Sequence, residues 1–214
     1  MLLSQIKFGS FLSYSPRGSL ELQSHSRTVR SNLKNDVPLD SGKLMSITVA
    51  EQIKRDLDQL PFADLFQVNP ILIPTPSSSL TRVDTLWVPH CIATALVGQG
   101  LGRSVETCLQ RVTPLQKAST SRPENRPKPI EHYDSMVVQT TIHEHNEILL
   151  VDDIITRGST LLGAASKLVD TFPNAHINAF AVMRTVSTPQ NFERIIDPRE
   201  GTITLVGENT FRDP

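Results

Sequence analysis

Little in the chain ties it to a membrane, a secretory route or a metal cluster. Its 214 residues include only 2 cysteines and 1 tryptophan. No apolar run approaches the ~18–20 residues that cross a bilayer. Cys91 and Cys108 lack C-x-x-C spacing and sit among apolar residues. Free buried thiols in a reducing cytoplasm are therefore expected, not a disulfide framework or a zinc site. An excess of either charge is missing too. The formal net charge is −1 with 20% charged residues, which does not indicate a strongly basic nucleic-acid binder. The opening stretch MLLSQIKFGSFLSYSPRG has no h-region, so a secreted protein is not expected. No internal repeat occurs. What these absences leave is an α/β domain large enough for a substantial core.

Against that plain background, EILLVDDIITRGSTLLGAASKL at 147–168 stands out. Ile148 to Val151 form a continuous apolar run, the pattern of a strand buried on both faces. Asp152 and Asp153 follow at its carboxyl end, where open α/β sheets place their ligands. Thr156, Arg157, Gly158, Ser159 and Thr160 then offer hydroxyls, a residue without Cβ and successive backbone N–H groups at the start of a helix. That combination can cradle a phosphate. Two carboxylates beside such a cradle suit a sugar phosphate, the acids taking ribose hydroxyls or a metal-bound diphosphate.

Elsewhere the pattern alternates. Thr48 to Glu51 reads as a capping box, followed at helical spacing by Val49, Ile53, Leu57 and Leu60. Pro70 to Pro74 is a short strand, 74–79 a Ser-rich loop, and a helix runs from Asp84 or Thr85 to Val97, which Pro89 would kink or whose start it would delay. Val105 to Val112 reads as a strand and 113–134 as a long basic loop. Ser135 to Thr141, the motif strand and His176 to Met183 read as further strands, with a helix over Ser159–Thr171. The expected architecture is a Rossmann-like, twisted parallel sheet flanked by helices. Residues 1–45 read as an atypical N-terminal segment with a short helix near Glu21 to Leu33. Residues 46–184 form the core, and 185–214 a tail or hood with a strand at Thr202–Val206.

The string Ile-Leu-Leu-Val-Asp-Asp-Ile-Ile-Thr-Arg-Gly-Ser-Thr at 148–160 resembles the phosphoribosyl-pyrophosphate (PRPP) motif of type I phosphoribosyltransferases. The resemblance covers about 70–184. Arg111, Val112, Gln116, Lys117, Ser121 and Arg122 are similar to the ComF-like branch, whose cysteine-rich zinc module is missing here. It implies a type I phosphoribosyltransferase fold with N- and C-terminal appendages, and a Mg²⁺-dependent transfer of phosphoribosyl from PRPP to an unidentified base or amine. Asp152 and Asp153 would meet the ribose hydroxyls and the metal, and 156–160 the 5′-phosphate, Arg157 occupying a position variable in the family. Ser77, Ser78 and Arg82 would bind pyrophosphate, and Lys117 and Arg122 would act on a mobile loop as the diphosphate leaves. A homodimer is implied as well. Two other readings stand beside this one: a non-catalytic PRPP- or nucleotide-binding regulator, with residues 1–45 as a nucleic-acid contact, and a ComF-like accessory to DNA uptake. His143 and His145 read as surface residues, and Trp87 and Phe180 as core.

Overall fold

The computed structural model describes residues 1–79, 85–115, 126–139 and 146–214. Its centre is a seven-stranded sheet in the order β3-β2-β6-β7-β1-β8-β9. Five neighbouring strands are parallel: β3 (Ser104–Val105), β2 (Ile71–Pro74), β6 (Glu147–Ile155), β7 (His176–Thr185) and β1 (Gln5–Tyr14). β8 (Ile196–Val206) and β9 (Asn209–Asp213) extend the β1 side antiparallel. The expected α/β architecture with helices on both faces is present, but the sheet is mostly rather than wholly parallel.

Each face has its own apolar layer. On one side α1 (Glu21–Lys34), α2 (Met45–Asp56), α3 (Asp64–Gln67) with the turn before it, and α4 (Val88–Gly98) pack Leu33, Ile53, Phe62, Phe66 and Leu96 over Leu149, Val151 and Phe180. Phe180 is fully buried in an aromatic group with Phe62 and Phe66, ring centroids 5.5 and 5.2 Å away. On the other side α6 (Ser159–Thr171) places Leu161, Leu162 and Leu168 over Ile148, Leu150 and Ala179. α5 (Pro129–Asp134) packs on α6 where Gly163 leaves no room for a Cβ, which would lie 2.5 Å from the Pro129 carbonyl oxygen. β4 (Leu109–Arg111) and β5 (Met136–Val138) form a separate antiparallel pair beside it.

Several expectations need correction. Residues 1–45 and 185–214 are not appendages: β1 lies between β7 and β8, inside the sheet. The serines hid this strand, because Ser10 and Ser13 are buried among Phe8, Phe11 and Leu12 and interrupt the apolar run. Gly9 was needed there, since a Cβ would meet Phe62 at 2.7 Å. Thr48 is no cap either. α2 begins at Met45, and the buried Asp36 accepts the Ser46 N–H at 2.8 Å, serving that end from ten residues away. The strand expected over Val105–Val112 is two pieces, β3 and β4, in different sheets. Part of the long loop expected at 113–134 is helical, as α5. The helix expected to start at Asp84 or Thr85 starts at Val88, with Pro89 in its first turn.

β2 leads through α4 outward to β3, while its neighbour β6 leads through α6 to β7 on the opposite side. The connections diverge at the carboxyl ends of β2 and β6. Such a switch point leaves a crevice, where open α/β sheets take their ligands. The motif loop 156–158 and the Ser-rich loop 75–79 flank it.

Candidate functional site: a cleft at the switch point

Gly158 ends the motif loop in the left-handed region, φ 87°, and caps the N-terminus of the 13-residue α6. A tight strand-to-helix turn of this kind exposes the first N–H groups of the helix, which favour an anion. The loop faces a cleft of about 100 Å³ lined also by Arg126, His132, Asp152 and Asn209. Its hydroxyls are oriented by neighbours. Ser159 Oγ lies 2.9 Å from Thr210 Oγ1, Thr156 Oγ1 lies 3.2 Å from Thr185 Oγ1, and Thr160 Oγ1 lies 3.4 Å from His132 Nε2. Arg157 is exposed at the cleft rim.

The two acids separate. Successive side chains of a strand point to opposite faces, and Asp152 lines the cleft while Asp153 turns to the α1 side. Asp152 keeps some contact with solvent, but protein encloses the rest of it. Burial, and then the neighbouring Asp153 charge, push its carboxyl up to about 7. The Lys34 charge, a Thr75 hydroxyl and the Asp153 N–H, 2.9 Å from Asp152 Oδ1, act in the opposite direction. Asp153 is buried and ion-paired with Lys34 Nζ at 2.5 Å. The expectation that both acids face one ligand together is therefore corrected: the structure brings Asp152 to the cleft with 156–160 and turns Asp153 away.

Behind Asp152 lies Arg111, only 6% exposed. Its Nε donates to the Ser77 carbonyl at 2.5 Å and Nη1 donates to Ser135 Oγ, while Nη2 is buried without a hydrogen-bond partner. Burial lowers its guanidinium to about 10, opposed by the Asp152 carboxylate, so it stays charged at neutral pH. Arg111 thus ties the Ser-rich loop to β4. Ser77 is exposed, with Oγ 3.0 Å from Ser79 Oγ, and the carbonyl of half-buried Ser78 accepts the Leu115 N–H at 2.9 Å. Trp87 is not core. It is half-buried and donates Nε1–H to the Thr75 carbonyl at 2.8 Å, fixing the chain as it leaves β2.

His132 is buried beside the loop with Nδ1 unpartnered. Burial, then the Arg111 charge, push its imidazole down to about 3, so it is neutral at physiological pH. Arg126, in the cleft wall, has a buried Nε without a hydrogen-bond partner. Arg212, on β9, donates Nη2 to the Thr185 carbonyl at 2.7 Å and keeps Nε and Nη1 buried and unpaired. Burial and the nearby Arg184 lower it to about 10. Arg126 lines the cleft and Arg111 stands behind Asp152, so two guanidinium groups with unused buried donors adjoin it. Buried donors left unpaired are costly, and an anionic ligand is the chemistry that would satisfy them.

Arg82, Lys117, Arg122, Gln116, Ser121, His143 and His145 lie outside the described residues. Tyr133 and Phe211 do not line the cleft: Tyr133 stacks under Lys167 Nζ at 3.8 Å, and Phe211 is 61% exposed on β9. Cys91 and Cys108 are free thiols, Cys108 buried and pushed up to about 11 by that burial. Lys34, Arg126 and the β9 residues were missed in the sequence, since none of them belongs to a local motif.

Fold and cleft together define an α/β protein with a cleft at the sheet's switch point. No protein-family model matches the chain, and no curated protein matches it. Among the described residues no helix is long and apolar enough to cross a membrane.

Proposed function

We propose that the cleft binds PRPP and that the protein is a phosphoribosyltransferase of the type I fold, acting on a nucleobase or amine. One observation carries this reading. The PRPP-like string at 148–160 folds as a strand whose Asp152 opens to the switch-point cleft, running into a left-handed Gly158 at the head of α6. The 5′-phosphate would take the loop N–H groups and hydroxyls with Arg126, and a ribose hydroxyl would donate to Asp152. The diphosphate would lie toward Ser77 and Ser78, near the unused Nη2 of Arg111.

Among the described residues no three His, Cys, Asp or Glu side chains cluster to cage a metal. That suits Mg²⁺, which is commonly held by one or two carboxylates and the substrate's own phosphates. Asp152 is the residue that would hold it, and the metal would supply charge neutralisation on the diphosphate. In the reaction the C1–oxygen bond to diphosphate breaks, a C1–nitrogen bond to the acceptor forms, and the acceptor nitrogen loses its proton. Positive charge grows on the sugar ring, as in glycosyl transfer generally. Catalysis then rests on orientation and on stabilising the leaving diphosphate, for which Arg111 is suited.

The test is pyrophosphate release from Mg²⁺-PRPP across a panel of nucleobases and amines. Release with at least one acceptor, lost in Asp152→Asn, is expected. PRPP binding without release from any acceptor would overturn the enzymatic reading and favour a nucleotide-binding regulator. The Lys34–Asp153 pair lends some weight to that alternative, because it withdraws one acid of the motif from the ligand.

A further inference from the structure

α1 lies across the carboxyl edge of the sheet. Near its start, Gln23 Nε2 donates to the Pro189 carbonyl at 3.1 Å, beyond the end of β7, and Ser26 Oγ accepts the Ser15 N–H at 3.2 Å, beyond the end of β1. Its last residue, Lys34, reaches Asp153 at the end of β6. The helix thus bridges the ends of three strands, and its C-terminus, which favours a cation, delivers an ammonium to the acid pair.

Both oxygens of Asp153 are engaged. Oδ1 accepts the Ile154 N–H at 2.6 Å, and Oδ2 meets Lys34 Nζ at 2.5 Å. The Asp153 side chain is 8% exposed while that of Lys34 is 41% exposed. A buried carboxylate needs a paired cation, and a divalent metal could bind here only by displacing the ammonium. We propose that Lys34 is a positioning residue: it is the resident counter-cation of Asp153, and it excludes divalent metal from that acid. Of the motif's two acids, Asp152 is then the one open to a divalent cation in the cleft, and Asp153 faces the N-terminal helix.

The inference stands apart from the PRPP reading, because its test uses Mn²⁺ as the only probe. The full chain is titrated while free Mn²⁺ is followed by electron paramagnetic resonance, in wild type, Lys34→Met, Lys34→Met/Asp153→Asn and Asp153→Asn. Lys34→Met is expected to bind Mn²⁺ at least about tenfold more tightly than wild type, since an unpaired buried carboxylate is left to find a cation. Adding Asp153→Asn is expected to abolish that gain. A merely structural lysine would give no gain, so equal affinity in Lys34→Met overturns the proposal. Asp153→Asn alone is expected to leave wild-type Mn²⁺ affinity unchanged. A loss there would also overturn it, and this arm does not depend on the fold of the Lys34 variants. Leu33 is fully buried, and α1 keeps its hydrogen bonds through Gln23 and Ser26, so the helix stays docked without Lys34.

Discussion

Gly158 packs so closely on Ile203 of β8 that a Cβ at Gly158 would lie 2.7 Å from three carbons of that side chain. The backbone there also has φ 87°. The motif glycine is therefore held by two constraints, and only one of them concerns a ligand. A side chain at Gly158 would therefore disturb the fold as well as obstruct a phosphate. Left-handed backbone costs a residue with a Cβ about 1–2 kcal/mol, and overpacking about 1–3 kcal/mol. Gly158→Ala should lower unfolding stability by about 2–5 kcal/mol in urea denaturation. A loss within error would show that the loop and β8 are not packed as described.

Asp152→Asn separates stability from function. Asp152 has its folded-state pKa raised to about 7, by burial and then by the Asp153 charge. The folded protein thus holds a proton that the unfolded chain has released between roughly pH 4 and 7, so this group lowers stability as pH rises through that window. The asparagine keeps an oxygen for the Asp153 N–H and carries no charge. The variant should be more stable than wild type at pH 8, by about 1–3 kcal/mol, and the difference should vanish below about pH 4. Chemical denaturation across that range checks it. A variant less stable at pH 8 would mean that the carboxylate is well solvated.

Arg111 fastens the loop after β2 to β4. Lysine keeps the charge but cannot reproduce the planar fork. Arg111→Lys is expected to cost about 2 kcal/mol through the Ser77 carbonyl and Ser135 hydroxyl left short of a donor. It should also speed amide exchange at Leu115, whose N–H bonds to Ser78. Unchanged exchange there would separate the arginine from the loop.

Arg126 is a cation of the cleft wall with a buried, unpaired Nε. Replacing it with glutamine removes one charged donor from the anion, a loss of about 1.5–3 kcal/mol for a charge-assisted bond. Ribose 5-phosphate affinity should fall at least about tenfold while unfolding stability moves little. Equal affinity would remove Arg126 from the site.

The legible part of this protein was the local part. The strand–turn–helix at 147–171 could be read because its apolar run, its acids and Gly158 lie within one stretch of chain. β1 could not, since Ser10 and Ser13 make a central strand look polar until their burial is known. The opposition of Asp152 and Asp153 follows from strand alternation, yet which of them meets the cleft depends on α1, whose Lys34 is more than a hundred residues away in sequence. Trp87 was read as core because it is large and aromatic, whereas its Nε1–H is what it contributes. Arg111 and Arg126 reach the cleft only through β4 and the turn before α5, whose placement no local pattern encodes.

The central claim is that the cleft takes a phosphoribosyl ligand through Asp152 and the 156–160 loop. Calorimetric titration of Mg²⁺-PRPP into wild type and Asp152→Asn, both verified as folded, tests it most directly. Micromolar binding to wild type, weakened at least about tenfold in the variant, is the predicted result. No binding to folded wild type, or equal binding to both proteins, would contradict it.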